Sequence, residues 1–189
     1  MDLHEILKIA GGALALLLFI PMARQILKEN GAGQSFATWF LWAVMDSILA
    51  ASTIVRHGNY FLPLGFAIGG VAMTILLLAK RRFAWTTLDT VIAVLVVICA
   101  VAWEIGGART AIVASTLATS IATIPGLVEL WRRPNRTIAN IWGAYTLANF
   151  LAFLGGTAMT IEERFTPAIF TALSFLMFIA GHRNVKFAK

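Results

Sequence analysis

Seven apolar stretches, each long enough to cross a lipid bilayer, follow one another along the chain and are separated by short polar connections. A helix that crosses the hydrocarbon core needs about 20 apolar residues, because each residue adds about 1.5 Å to a core of about 30 Å. The connections leave no room for a folded domain outside the membrane. The pattern predicts an all-α polytopic membrane protein with seven transmembrane helices, at about 3–24, 36–56, 60–80, 84–104, 109–131, 137–157 and 164–182.

The composition supports a membrane protein and argues against other classes. Of the 189 residues, 59% are hydrophobic and 13% are charged, whereas soluble domains carry about 25% charged residues. The net charge of +6 does not indicate nucleic-acid binding, because the basic residues fall in short connections rather than on one polar face. The single cysteine, Cys99, excludes an internal disulfide.

The basic residues also predict the orientation, because the cytoplasmic loops of membrane proteins carry the excess of lysine and arginine. When the loops are assigned alternately to two sides, eleven basic residues fall on one side and four on the other. We therefore expect an integral protein of a bacterial inner membrane, with the N-terminus outside and the C-terminus in the cytoplasm. The eleven residues are Arg24, Lys28, Lys80, Arg81, Arg82, Arg132, Arg133, Arg136, Arg183, Lys186 and Lys189, and the four are Lys8, Arg56, Arg109 and Arg164.

An internal repeat relates the first three predicted helices to the last three. The segment FIPMARQILKENGAGQSFATWFLWAVMDS at 19–47 matches TIPGLVELWRRPNRTIANIWGAYTLANF at 123–150, with Pro21 on Pro125 and Asp46 on Asn149. Since each unit has an odd number of helices, the two units share one orientation only if a single helix separates them. The predicted organisation is a first three-helix repeat at 1–82, a linker helix at 83–107 and a second three-helix repeat at 108–189.

This organisation of two parallel three-helix repeats and one linker helix resembles the SWEET and PQ-loop superfamily of transporters. Pro21 and Pro125 are similar to the proline of the PQ motif, with Met22 and Gly126 in place of its glutamine. The pattern WFLWAVMD, which becomes WGAYTLAN in the second repeat, resembles the W-x-x-W-x-x-x-N signature of nicotinamide-riboside transporters with this fold. The resemblance implies a 3+1+3 bundle that moves a small solute.

Six residues of the repeated motif form a candidate substrate site. Asp46 lies about 15 Å into the second helix and so near the bilayer midplane, where an ionised side chain costs on the order of 2.5–3.5 kcal/mol. It must therefore face the bundle interior or a wet cavity, and Asn149 reaches a similar depth. Aromatic side chains on the same helical faces can stack on a flat solute or attract a cation. The predicted substrate-binding residues are Trp39, Trp42, Asp46, Trp142, Tyr145 and Asn149.

Other interpretations of these residues stay open. Trp39 and Trp142 lie close enough to the cytoplasmic boundary to anchor in the interfacial aromatic belt, and Asp46 can belong to a purely structural polar cluster. The fifth predicted helix is rich in hydroxyls that either line a path or only bond neighbouring helices. These hydroxyl residues are Ser115, Thr116, Thr119, Ser120 and Thr123, and the acids expected near the interface are Asp89, Glu104 and Glu129.

The predicted function is transport of a small polar solute, such as a sugar or a vitamin precursor, by alternating access. Pro21 and Pro125 are the predicted hinges, because a proline inside a span removes a helical hydrogen bond and kinks the helix. The sequence carries no nucleotide-binding loop, so transport is expected to be facilitated or proton-coupled through Asp46.

The remaining expectations concern chemistry and partners. The chain lacks the metalloprotease and hydrolase motifs, so we do not expect an enzyme, and we expect no cofactor or metal. The expected partners are a small-molecule substrate and membrane lipid, without nucleic acid. A homo-oligomer stays open, although one chain should hold a complete pathway. The alternative is a non-transporting heptahelical receptor of the same fold for a small ligand or a peptide.

Overall fold

The computed structural model describes residues 1–28, 36–81, 85 and 87–183, and every regular element in these ranges is a helix. The prediction of an all-α protein is therefore confirmed. The elements are α1 (Leu3–Leu17), α2 (Phe19–Lys28), α3 (Phe36–Val55), α4 (Phe61–Ala79), α5 (Thr87–Arg132), α6 (Arg136–Gly155), a π-helical turn (Ile161–Phe165) and α7 (Thr166–His182).

Six helices in the described ranges are long and apolar enough to cross a membrane, as expected for an integral membrane protein. Five of them match single apolar stretches of the sequence. The remaining one, Asp89–Arg132, has 44 residues and covers two predicted stretches. At about 1.5 Å per residue a straight helix of that length would be about twice as long as the hydrocarbon core is thick.

Helix α5 is broken at Gly107, which divides it into a first arm at 87–106 and a second arm at 108–132. Gly107 has a φ of 73° and a ψ of −176°, a conformation that only glycine adopts without strain. Cys99 in the first arm lies beside Ser115 in the second. A straight helix would separate these two residues by about 24 Å, so the chain reverses direction at Gly107.

The N-terminal span is interrupted near the first predicted hinge. Helix α1 ends at Leu17 and α2 begins at Phe19. Pro21 has no N–H to donate to the carbonyl of Leu17, and its ring crowds that carbonyl, which explains a break at this point. Pro125 lies inside α5 without an interruption of the helix. The two predicted hinges therefore differ in local geometry.

The helices pack as a closed ring. In order around it, α1 contacts α4, α4 contacts α3, α3 contacts α5, α5 contacts α7, α7 contacts α6, and α6 contacts α1. The sequence repeat pairs α1 with the second arm of α5, α3 with α6, and α4 with α7. The contacts follow this pairing. The contact of α1 with α4 corresponds to that of the second arm with α7, the contact of α3 with α4 to that of α6 with α7, and the contact of α3 with the second arm to that of α6 with α1.

Helices that correspond in the repeat also have corresponding directions. The first span, α1 continued by α2, runs parallel to α4, because contacts nearer the start of the span fall nearer the start of α4. The second arm of α5 runs parallel to α7 in the same way. The contacts that show this are Gly12 with Phe61 and Phe19 with Gly69 in the first pair, and Thr116 with Thr166 and Leu130 with Met177 in the second.

Ion pairs join several elements at the face of the bundle where the chain begins, here called the N-terminal face. The Nζ of Lys8 on α1 lies 2.8 Å from Oε2 of Glu163 in the π-helical turn. Glu162 of the same turn lies 3.4 Å from Arg56 and 3.2 Å from Arg109. The turn thus ties α1, the end of α3 and the start of the second arm together.

The opposite face of the bundle has a different character in the part of the chain that the structure describes. Its ion pair joins Glu129 to Arg133, four residues further along the chain at the end of α5, and is largely exposed. Three of the basic residues counted for this face, Arg82, Lys186 and Lys189, lie outside the described residues, as does the predicted domain boundary at 82/83.

The contact between α1 and α4 predicts a strict requirement for glycine at Gly12. A Cβ there would clash with the carbonyl of Phe61, so Gly12→Ala should cost about 1–3 kcal/mol of unfolding free energy. Gly126→Ala is the matched control, because its Cβ would meet only Cε of Met177 at 3.7 Å. Thermal unfolding in detergent measures both variants, and equal unfolding midpoints would contradict this packing.

The N-terminal ion pairs predict that Glu163 stabilises the fold. Its carboxylate accepts from Lys8 and from the backbone N–H of Thr157 and is largely buried, so Glu163→Gln should cost about 1–3 kcal/mol. Glu129→Gln removes a charge from an exposed pair and should change stability by at most about 0.5 kcal/mol. Thermal unfolding of both variants checks this, and a larger loss in Glu129→Gln would refute it.

Candidate functional site

Asp46 and Asn149, the two polar residues of the repeated motif, both lie inside the bundle. Asp46 on α3 is 8% exposed and Asn149 on α6 is 2% exposed. The amide Nδ2 of Asn149 donates to the carbonyl oxygen of Phe170 at 3.2 Å and to Oγ of Ser174 at 3.3 Å. Oδ1 of each residue has no hydrogen-bond partner among the described residues. Both therefore keep an acceptor oxygen free for another group.

The four aromatic residues of the motif join one buried cluster. Trp39 and Tyr145 are 6% and 4% exposed, and Trp42 and Trp142 pack against the same cluster while partly buried. Ring centroids lie 5.5 Å apart for Trp39 and Trp42, and 5.6 Å apart for Trp142 and Tyr145. The burial of Trp39 places it in the core of the bundle, which disfavours the interfacial-belt interpretation for this residue.

Phe19 connects the aromatic residues of the two repeats. Its ring lies 6.1 Å from Trp39 and 6.1 Å from Tyr145, edge-on to both. Such edge-to-face contacts are favourable because the positive ring edge meets the negative ring face. The ring of Phe19 also packs tightly on Gly69, where a Cβ would clash with it. Phe19 thus holds the motifs of α3 and α6 in one cluster.

A second pair of phenylalanines completes the contact between the repeats. Phe66 on α4 lies 5.7 Å from Phe170 on α7 and 5.7 Å from Tyr145. Phe66 and Phe170 are 104 residues apart, the same offset as Pro21 and Pro125, so equivalent residues touch across the bundle. The matched segments end before these two residues, and continuing the comparison at the offset of 104 would have identified this pair in the sequence.

Asp46 also lies close to the aromatic residues of the second repeat. The carboxyl group of Asp46 is close enough to the Tyr145 hydroxyl for the two to interact electrostatically. Asn149 lies one helical turn beyond Tyr145 on α6. The structure thus places the six predicted residues around one central region, with Asp46 and Asn149 on the two helices that correspond in the repeat.

The hydroxyls of the second arm of α5 divide into two groups. Thr116 shares a hydrogen bond of 2.7 Å with Thr166 of α7. Ser120 and Thr123 each donate to a backbone carbonyl one turn earlier, at 2.7 Å and 2.8 Å. Oγ of Ser115 and Oγ1 of Thr119 are buried and have no hydrogen-bond partner among the described residues. Three hydroxyls are therefore used within the fold, Ser115 lies beside only the thiol of Cys99, and Thr119 is not used.

Asp89 differs from the expectation of an interfacial acid. It is fully buried at the start of the first arm, where the hydroxyl of Thr38 on α3 donates to its carboxylate. The sequence places Asp89 close to a predicted helix end, but depth along a helix does not decide burial. The contact with α3 shields this carboxyl group.

Two of the cavities that the described residues form at the surface are not lined by any of the six candidate residues. A groove of about 490 Å³ lies between α3, α4 and Trp103, with an almost entirely apolar lining. A polar pocket of about 390 Å³ on the N-terminal face includes Arg56, His57, Arg109 and Glu162. No group of three or more histidine, cysteine, aspartate or glutamate side chains that could hold a metal occurs in the described ranges.

Comparison with known proteins gave no relative for this chain. No protein-family model, no curated protein and no solved structure matched it.

The central cluster predicts a strong effect of truncating Phe19. Phe19→Ala should cost about 3–5 kcal/mol of unfolding free energy, because the cavity between α2, α3 and α6 cannot fill. Phe150→Ala is the control, since Phe150 is 44% exposed on the outside of α6 and its loss leaves no internal cavity. Thermal unfolding in detergent compares the two, and the prediction fails if Phe150→Ala is the more destabilised protein.

Proposed function

We propose that the protein is a membrane transporter that moves a small polar solute by alternating access. The observation that carries this proposal is the pair Asp46 and Asn149, which occupy equivalent positions in the two repeats, are buried inside the bundle and keep free oxygen atoms. Polar groups at membrane depth are costly and typically mark substrate or ion pathways. Transporters built from repeats hold their substrate at the interface between those repeats.

The proposal includes seven spans in a 3+1+3 arrangement. The reversal at Gly107 supports the division of α5 into a linker helix and the first helix of a second repeat. Helices that correspond in the repeat make corresponding contacts and run in corresponding directions, which supports two parallel repeats. A two-fold relation about the membrane normal would produce both properties.

The chemistry of the central region suits a solute with flat and polar parts. Aromatic rings from both repeats provide apolar faces for stacking. Asp46 accepts hydrogen bonds from hydroxyls, balances a cationic group or exchanges a proton, whereas Asn149 stays neutral and contributes a carbonyl oxygen. Sugars and vitamin precursors both carry such a combination of groups. Transport is then facilitated diffusion, or coupled to protons through Asp46.

The proposed orientation places the N-terminal face outside and the face rich in lysine and arginine in the cytoplasm. The ion pairs of Glu162 and Glu163 then close the outer end in this structure. Opening toward the outside requires these pairs to separate, while the break near Pro21 lets the first span bend. Pro125 serves as the corresponding hinge in the second repeat.

A receptor of the same fold is the second candidate. The observation in its favour is that neither cavity reaches the six central residues. A receptor would bind its ligand without passing it, so a flux measurement separates the two functions.

Uptake into proteoliposomes tests the proposal, with radiolabelled nicotinamide riboside and D-glucose as the two probes. Asp46→Leu and Asn149→Leu should each lower uptake of the transported probe on the order of tenfold or more, because each variant loses a hydrogen-bonding group in a buried site. Ser52→Ala is the control, since its buried hydroxyl bonds only to the carbonyl of Ile48, and it should keep uptake within about twofold of wild type.

The outcomes separate the candidates. Wild-type rates in both leucine variants, in correctly inserted protein, would end the transporter proposal at this site. Saturable binding of a probe without flux would favour the receptor. An uptake rate that does not depend on pH, without proton movement, would leave facilitated diffusion and remove proton coupling through Asp46.

A further inference from the structure

Among the described residues, four buried polar atoms that make no hydrogen bond of ordinary geometry lie on two neighbouring helices, α3 and the second arm of α5. They are Nε1 of Trp42, Oδ1 of Asp46, Oγ of Ser115 and Oγ1 of Thr119. Only Trp42 and Asp46 belong to the repeated motif. Buried polar groups in folded proteins nearly always have partners, so a concentration of unpaired groups at one interface requires an explanation.

The contacts between the two helices fix their register. Leu49 of α3 and Ile112 of the second arm lie in one buried cluster with Phe170. Met45 and Leu41 of α3 lie in a second buried cluster with Ala118 and Ala122 of the second arm. From the first cluster to the second, the residue numbers therefore fall on α3 and rise on the second arm. The helices are antiparallel. Because both rise by the same distance per residue, Ser115 lies level with Asp46, and Thr119 lies level with Trp42.

The side chains also share faces. Residues spaced by three and seven lie on one side of a helix, so Ser115 and Thr119 lie on the side of Ile112, and Asp46 and Trp42 lie on the side of Leu49. Ile112 and Leu49 meet in the interior beside Phe170. The four atoms therefore border the interface between α3 and the second arm, where Cys99 of the first arm also lies beside Ser115.

The hydroxyls of Ser115 and Thr119 are unusual on their own helix. Ser120 and Thr123 satisfy theirs by donating to the carbonyl one turn earlier, the common arrangement for a hydroxyl in a membrane helix. Ser115 and Thr119 make no such bond. The hydroxyl of Thr119 thus remains available to a molecule that is not part of the protein, and the hydroxyl of Ser115 lies beside only the thiol of Cys99, a weak partner that a solute can replace.

The same place in the other repeat is closed. Ser115 and Thr119 correspond to Gly11 and Ala15 at the offset of 104. Gly11 packs directly on α6, where a Cβ would lie 2.7 Å from the carbonyl oxygen of Ala148, and Ala15 is fully buried. The interface of α1 with α6 is therefore small-residue packing, whereas the interface of α3 with the second arm carries unpaired polar groups.

We propose that Ser115 and Thr119 contact the transported solute and, with Trp42 and Asp46, bind its hydrogen-bonding edge on the α3 side of the bundle. This inference rests on the proposed function. The indole N–H of Trp42 donates to an acceptor of the solute, Asp46 accepts from a donor, and the two hydroxyls do either. The bound solute is oriented across the bundle, with its polar edge toward α3 and the second arm.

Four variants in the second arm test this assignment with isosteric changes. Ser115→Ala and Thr119→Val remove the unpaired hydroxyls, and Ser120→Ala and Thr123→Val remove hydroxyls already bonded to their own helix. In proteoliposomes, the first two should each raise the KM for the transported probe about three- to tenfold. The two controls should stay within about twofold of wild type. Equal KM values in all four variants would overturn the assignment.

A second measurement does not depend on which solute is transported. In a Cys99→Ala background, the variants Ser115→Cys, Thr119→Cys, Ser120→Cys and Thr123→Cys are treated with methanethiosulfonate ethylammonium in liposomes. The first two should react on the order of tenfold faster, because a solute path must open to water during the cycle. Equal reaction rates of the four cysteine variants would overturn the assignment of Ser115 and Thr119, even if neither probe is transported. If neither probe is taken up, that result counts against the transporter proposal alone.

Discussion

A carboxyl group in the middle of an apolar helix has to be turned away from lipid, and the packing at the centre of the bundle satisfies this requirement. Hydrocarbon offers no hydrogen bonds and almost no screening, so the polar side of α3 must face other helices. Asp46 is nearly buried as a result, while Phe40 and Ile54 on the same helix are about half exposed on the outer surface. Helix α6 is oriented in the same way, with Asn149 inside and Leu147 outside.

The two repeats share an arrangement of helices but differ in polarity. Asn149 uses its amide to bind α7, whereas a deprotonated carboxylate at the equivalent Asp46 has no proton to donate. Close packing of Gly11 holds α1 against α6, whereas Ser115, which carries a polar hydroxyl, takes the equivalent place beside α3. In the proposed transporter, a solute bound between these halves would therefore meet polar groups on one side and close packing on the other.

The sequence by itself determined the membrane character, the helical class and the repeated positions. The lengths of the apolar stretches were sufficient because the bilayer sets a fixed thickness, and five of the stretches match single helices of the structure. The burial of Asp46 was predictable because lipid penalises a charge wherever its neighbours lie. The repeat also placed Trp39 and Tyr145 at motif positions, and both are buried in the same cluster.

Only the tertiary structure decided what each side chain meets. Phe19 lies outside the repeated polar motif, yet its ring joins the aromatic residues of both halves. The hydroxyls of the second arm look equivalent in the sequence, but Thr116 finds a partner on α7, Ser115 lies beside the thiol of Cys99, and Thr119 finds no partner in the described ranges. Apolar length and period are properties of one helix, which local sequence controls. Hydrogen-bond partners and ring contacts depend on the register and rotation of neighbouring helices, and these are set by packing between distant segments.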